Sequence, residues 1–321
     1  MSQIEPLNWQ PSASLEHIRK RAHLMGRIRA FFNEKGYLEV ETPIMARYGV
    51  SDVYLSNIKA TFRGQSYSLQ TSPEYHMKRL LAAGSGSIFQ LARVFRDDEW
   101  GRWHNPEFTL LEWYKLDACH HDLMDEVDTF LQHILNTQPM VRKTYQQAFI
   151  ETCNLDPFNA SVTDMKSFLS TVDLDNVLPT DETDRDQYLF LLMSHVVEPC
   201  LGRNYSMPVA VYHFPESQAS LAKVTDGVAE RFEVYYCGVE LANGFHELTD
   251  SAAQRERFQK DNQQRRMKGY PTSEPDEYLL RALQHGLPTC SGVALGVDRL
   301  IALALEQSTI GKVMAFDFSI A

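Results

Sequence analysis

Arg96, His104, Phe108 and Arg299, together with Glu233 and Glu240, are the residue types that polyphosphate chemistry asks for. Two guanidinium groups can bind phosphate oxygens in fixed geometry, and two carboxylates on one surface can share a hard cation such as Mg2+. A phenylalanine ring offers a nucleobase a face to stack on. No GxxxxGK[ST] loop is present, so any ATP site is not of the P-loop kind. A second group, Glu74, Glu112 and Glu247 with Tyr114, would suit a small cationic molecule. An ordinary hairpin with a salt bridge and an aromatic spacer would also explain the stretch from Phe89 to Tyr114, and the residues alone leave both readings open.

Those side chains need elements to hold them. Phe89–Arg96 alternates with Gln90, Ala92, Val94 and Arg96 on one face and Phe89, Leu91, Arg93 and Phe95 on the other. Glu107–Tyr114 likewise sets Phe108, Leu110, Glu112 and Tyr114 against Glu107, Thr109, Leu111 and Trp113. The two segments predict a strand, a charged loop and a second strand. Arg231–Gly244 predicts a second hairpin: with the turn at Cys237-Gly238, Tyr235 faces Glu240 and Glu233 lies diagonal to it. Ser291–Leu305 reads as strand, glycine break and helix, with Arg299 in the first helical turn. An arginine there opposes the dipole preference and is explained by an anion. Gly292 and Gly296 permit close approach.

Upstream, Ser14 should cap a helix over Leu15–Lys35, with Leu15, Ile18, Ala22, Met25, Ile28 and Phe32 as its apolar stripe. Its basic residues, Arg19, Lys20, Arg21, Arg27 and Arg29, read first as a solvated face and second as a partner surface. Thr71-Ser72-Pro73 opens a helix over Glu74–Ala83. Residues 119–202 are mainly helical, with Leu123, Val127, Phe130, Leu131 and Ile134 forming one stripe and Asp184–Cys200 another helix. Residues 250–268 read as a charged, solvated helix.

Composition narrows the class. The chain has 321 residues, a net charge of −11 and 44% hydrophobic residues, as soluble globular proteins do. The acidic balance argues against broad nucleic-acid binding, which draws its affinity from lysine and arginine. Five cysteines without CxxC spacing suggest free thiols in a reducing compartment and no zinc site. No secretory h-region or spanning segment is visible, so the expected location is cytoplasmic, away from membranes.

Phe95-Arg96 through Glu107-Phe108, the segment YLEVETP ending at Pro43, and GVALGVDRL at Gly292–Leu300 resemble motifs 2, 1 and 3 of class II aminoacyl-tRNA synthetases. HNPEFTLLEWY, RFEVYYCGVELANGFHELTD and TSPEYHMKRLL are similar to the lysyl branch, and the likeness runs from residue 15 to 318. It implies an α+β fold, an antiparallel sheet flanked by helices, with 1–14 a tail, 15–321 one catalytic domain and 119–202 an insertion. About 40 residues precede Pro43, too few for the OB-fold anticodon domain of lysyl-tRNA synthetases. The chain is therefore similar to the truncated paralogues that attach (R)-β-lysine to a lysine of translation elongation factor P.

The resemblance implies roles. Arg96 and Arg299 would be catalytic, holding the α-phosphate with the substrate carboxylate and the γ-phosphate respectively. Asp97, Asp98, His104, Asn105, Phe108, Glu240, Leu241 and Gly296 would line the ATP site with them, and Glu233 and Glu240 would hold Mg2+. Ser72, Pro73, Glu74, Glu112, Tyr114, Asn243, Glu247 and Ala294 would line the substrate pocket. Motif 1 implies a homodimer through residues 15–43. Three positions depart from the pattern: Asp98 stands for Glu, and Ser72 and Ala294 for Ala and Gly. The last two suit a pocket retuned from an α- to a β-amine, or neutral drift. A minimal lysyl-tRNA synthetase and a non-catalytic binding protein are the rival functions, and tRNA is not the expected partner.

Overall fold

A computed structural model describes residues 9–97, 100–203 and 207–321. Asp98 lies outside them, as does most of the tail over 1–14. The fold is α+β, with a large, mainly antiparallel sheet and flanking helices. The chain divides into two compact units: residues 1–113, 250–287 and 294–321 form the first, and 114–249 with 288–293 the second.

In the first unit, Ser14 Oγ accepts from His17 N at 3.1 Å and caps the helix Leu15–Glu34. Its buried face is Leu24, Ile28, Phe31 and Phe32, whereas Leu15 is 63% exposed. The core stripe thus shares only Ile28 and Phe32 with the stripe the spacing predicts. The basic face is not simply solvated either. Arg21 reaches the buried Asp298 at 2.6 Å and Thr109 Oγ1 at 3.1 Å, which turns the helix about its axis. Phe32 stacks on Phe89 at 4.7 Å between centroids and meets Trp113 at 5.1 Å.

The first unit's share of the large sheet runs in the order Leu38–Glu39, Ile88–Phe95, Glu107–Leu116, Cys290–Gly296. Leu38–Glu39 pairs parallel with Ile88–Phe89. The period-2 reading of the hairpin holds on both faces. Arg93 binds Thr109 Oγ1 at 3.0 Å and Glu107 at 3.0 Å on one side. Ala92, Val94 and Leu110, joined by Phe108 and Ala294, form an apolar cluster on the other. A small sheet, Met45–Ala46, Gln65–Leu69, Lys59–Phe62, stands apart. The helix Glu74–Ala82 packs on the helix Glu277–Gly286. The helix Ser251–Met267 is not the solvated element its charge suggests. Phe258, Asn262 and Arg265 are buried, and Arg265 donates to the carbonyls of Leu55 (3.0 Å) and Pro271 (2.7 Å).

In the second unit the strand order is Cys290–Gly296, Val239–His246, Val228–Tyr236, Val209–Pro215, Val141–Thr144, the last pair parallel. Helices Tyr145–Cys153, Val162–Thr171 and Arg185–Leu192 close a core built on Tyr145, Phe149, Leu189, Leu192, Val211, Phe214 and Tyr235. The helix predicted to run to Cys200 changes to a π turn over Met193–Val197 and a 3-10 turn over Glu198–Cys200. The hairpin turn falls at Cys237-Gly238, both with positive φ, and Tyr235 pairs with Glu240. A bulge then shifts the register, so that Val234 faces Ala242 and Glu233 faces Asn243.

Candidate active site

The first unit carries the two arginines. Arg96 follows the last residue of the strand Ile88–Phe95, and its backbone N–H bonds Pro106 O at 3.0 Å across the hairpin. That pairing fixes where the side chain leaves the sheet. Its guanidinium lies 5.1 Å from the Phe108 centroid, and Nε donates to Thr71 O at 3.4 Å. Arg299 is the third residue of the helix Val297–Ala304. Asp298, one residue earlier, is buried and accepts from Thr109 N at 2.7 Å. The acid the helix start favours is therefore turned inward, and the arginine is turned elsewhere.

Arg299 donates through Nε to Trp103 O at 3.1 Å and contacts His104 Nε2 at 2.7 Å. A guanidinium can only donate, so His104 Nε2 is the acceptor in this contact. Asn105 is buried: Nδ2 donates to Glu107 O at 2.6 Å, and Oδ1 accepts from Phe318 N at 3.0 Å. Asp97 donates its N–H to Ser56 O at 3.0 Å. Gly101 and His104 exchange backbone hydrogen bonds at 3.1 and 3.2 Å, which hold His104 where it meets Arg299.

The same unit carries Ser72, Pro73, Glu74, Glu112 and Ala294. Ser72 Oγ donates to Glu112 Oε2 at 2.7 Å and accepts from Glu74 N at 3.0 Å. Glu112 is only 2% exposed, so this hydroxyl holds a buried carboxylate in place. Glu74 accepts from Lys78 Nζ at 2.7 Å, one helical turn on, and Lys78 is itself buried. Pro73 is the N-terminal flanking residue of that helix. Ala294 packs on the apolar cluster of Ala92, Val94 and Leu110.

The second unit carries Glu233 and Glu240, and with them Tyr114, Asn243 and Glu247. Glu233 is nearly buried and heavily bonded: Arg231 and Tyr235 both donate to it, and Asn243 Nδ2 does so at 3.1 Å. Burial first, then the charges of Glu233 and Glu240, push the Tyr235 phenol well up, so it stays a donor. Arg231 was not anticipated, although it lies two residues before Glu233 and hence on the same strand face. Its charge offsets the repulsion that two carboxylates on one face would otherwise feel. Asn243 Oδ1 is buried with no hydrogen-bond partner among the described residues. Glu233 and Glu240 carry hard carboxylate oxygens of the kind Mg2+ takes, so the residue types fit that ion. Leu241, in the bulge that sets their register, is buried.

Gly292 explains how Tyr114 and Glu247 fit. A Cβ on Gly292 would lie 2.3 Å from Tyr114 Cε1 and 2.6 Å from Glu247 Oε1. Only a glycine lets that ring and that carboxylate approach the strand. Glu247 N bonds Cys290 O at 3.0 Å, which fixes the carboxylate's base. At Gly296 a Cβ would meet only Arg299 side-chain carbons, the nearest at 3.5 Å, so the two glycines do different jobs.

A family description, class II tRNA synthetases (D, K and N), matches residues 6–319. The chain belongs to that family. It is similar to the elongation factor P–(R)-β-lysine ligase of Edwardsiella ictaluri (strain 93-146), at 52% identity over 318 residues, covering 96% of this chain and 97% of that one. It is also similar to the proteins of that name from Salmonella typhi, 51% identical, and Hamiltonella defensa, 50% identical, each across 97% of this chain and 98% of the relative.

Proposed function

We propose that this protein activates (R)-β-lysine with ATP and transfers it to a lysine side chain of elongation factor P. The observation that carries the reading is the near-full-length similarity to three ligases of that name. The residues support it chemically. Arg96 would hold the α-phosphate beside the substrate carboxylate, and Arg299, with its His104 partner, the γ-phosphate. Asp97, Asn105 and Gly296 shape the nucleotide side, and Phe108 offers the adenine its ring. Glu74, Glu112, Tyr114, Asn243 and Glu247 would take the two ammonium groups. Mg2+, held by Glu233 and Glu240, would supply charge neutralisation at the phosphates.

Two balanced steps follow. A carboxylate oxygen attacks the α-phosphorus, the bond to the bridging oxygen breaks, and pyrophosphate leaves. The amine of the protein lysine then attacks the acyl carbon, AMP leaves, and the ammonium proton passes to solvent. Orientation and fixed positive charge lower both barriers, and no covalent enzyme intermediate is required.

We further read residues 15–321 as one catalytic domain with 119–202 inserted, and the family match across 6–319 supports this. Exposed Leu15 and Leu38 suit a homodimer through 15–43. No helix among the described residues is long and apolar enough to cross a membrane, which agrees with a cytoplasmic site. The test is incubation with ATP, (R)-β-lysine and purified elongation factor P. A mass gain of one β-lysyl group on a lysine is expected; an unmodified factor alongside efficient charging of tRNA would overturn the reading.

A further inference from the structure

Four histidines and one carboxylate of the second unit gather in a cluster that the ATP chemistry does not use. His120 and His121 open the helix His120–Leu135, which packs over the strands Val228–Tyr236 and Val239–His246. On those strands Glu230 and His246 are hydrogen-bonded across the ladder. On the next strand His213 stands where the register shifts between Ala229 and Phe232, so that two residues oppose one. His213 takes φ +61°, in the left-handed region that a histidine occupies only when its surroundings hold it there.

The rings converge. Centroids lie 4.1 Å apart for His120–His121, 5.4 Å for His120–His213 and 5.8 Å for His121–His213. One ring nitrogen from each of the three lies within 4.8 Å of the others. Nitrogens around a tetrahedral ion with bonds of about 2.1 Å sit roughly 3.4 Å apart, a distance small ring rotations reach. His120 is 5% exposed, yet neither of its ring nitrogens has a hydrogen-bond partner among the described residues. A buried imidazole without a partner is an unusual thing to keep. Its Nδ1 faces Glu230 Oε2 at 3.6 Å, and Glu230 is itself bonded by Thr225 Oγ1 at 2.6 Å. A carboxylate behind one nitrogen is what orients a metal-binding histidine and leaves the other nitrogen for the ion.

We propose that His120, His121 and His213 form a binding site for a first-row divalent ion, Zn2+ above all, with Glu230 orienting His120. Imidazole donors favour such an ion over Mg2+. The site is separate from the Glu233 and Glu240 carboxylates. It would pin the start of the helix to the strand Val209–Pro215, which pairs with the strand that carries Glu233.

The test uses the full chain, stripped with a chelator and titrated with Zn2+ by calorimetry in excess Mg2+, and with Co2+ followed by visible absorption. One ion per chain is expected, with Kd at or below micromolar and Co2+ bands of nitrogen ligation. His121→Ala and His213→Ala, which leave the buried His120 in place, should each weaken binding at least tenfold with the circular dichroism unchanged. His195→Ala, outside the cluster, should not. Absence of stoichiometric Zn2+ binding, or binding that neither variant weakens, would overturn the proposal. So would weakening by His246→Ala without weakening by His121→Ala, because the ion would then sit on His120, Glu230 and His246.

Discussion

Replacing Gly292 with alanine adds one methyl group at the most crowded point of the amine pocket. Gly292 is buried and has no positive φ, so its backbone accepts alanine and the effect is steric alone. The methyl would sit 2.3 Å from Tyr114 Cε1, whereas ordinary contact begins at 3.4 Å, so the ring must retreat by about 1.1 Å. Glu247 Oε1, at 2.6 Å, must move as well. Overpacking of this size costs roughly 1–3 kcal/mol of stability. A pocket misplaced by about 1 Å loses on the order of a hundredfold in rate. Pyrophosphate exchange at varied lysine analogue and varied ATP separates the two substrates. We expect kcat/KM for (R)-β-lysine to fall by about a hundredfold and the KM for ATP to change by less than about threefold. Gly296→Ala, whose methyl meets only ordinary contacts with Arg299, should leave kcat/KM for (R)-β-lysine unchanged. If Gly292→Ala keeps full activity towards the amine, Tyr114 and Glu247 do not shape the pocket as argued.

Other perturbations follow from single contacts. Arg21→Ala leaves the buried Asp298 charge without its 2.6 Å partner, so denaturant unfolding should show a loss of roughly 3 kcal/mol. Adding Asp298→Asn should recover part of it, and strict additivity would contradict the coupling. Ser72→Ala removes the 2.7 Å donor to Glu112 and should lower exchange with (R)-β-lysine about tenfold, read against L-α-lysine. Burial, with Asp52 adding to it, lifts Asp261 to about 6 from 3.8, against the hydrogen bond from Ser51. An acid raised in the folded state binds its proton more tightly there than when unfolded. Stability from this group is therefore present below pH 3.8 and is lost as pH rises to about 6. Asp261→Asn should raise the free energy of unfolding at pH 7.5 by about 1–2 kcal/mol after allowing for solvent screening, and not at pH 4, as denaturant unfolding would read it.

The alternation of two hairpins was legible because strand periodicity is rigid: once Arg96 and Phe108 share a face, Arg93, Thr109 and Glu107 must share the other. The cap at Ser14 was legible for the same local reason. What failed was the choice of face on helices, where tertiary partners decide. Arg21 is drawn inward by Asp298, nearly three hundred residues away in the chain, and that rotation exposes Leu15. Arg265 is buried because backbone carbonyls of another segment accept from it, which no charge count could show. The bulge that sets Glu233 against Asn243 inserts one residue, and nothing in VELANG announces it. The histidine cluster joins residues from three distant segments, so only the folded chain displays it. The motifs carried the family; contacts made by Arg231, Tyr235 and Lys78 needed coordinates.

The central claim is that Arg96, Arg299 and the buried carboxylates activate a β-amino acid by adenylation. ATP–pyrophosphate exchange with (R)-β-lysine, (S)-β-lysine and L-α-lysine, run side by side on the intact protein, tests it most directly. The account predicts fastest exchange with (R)-β-lysine, abolished by Arg96→Ala while the fold is retained. No exchange with any of the three isomers, or a clear preference for L-α-lysine with efficient charging of tRNA, would contradict it.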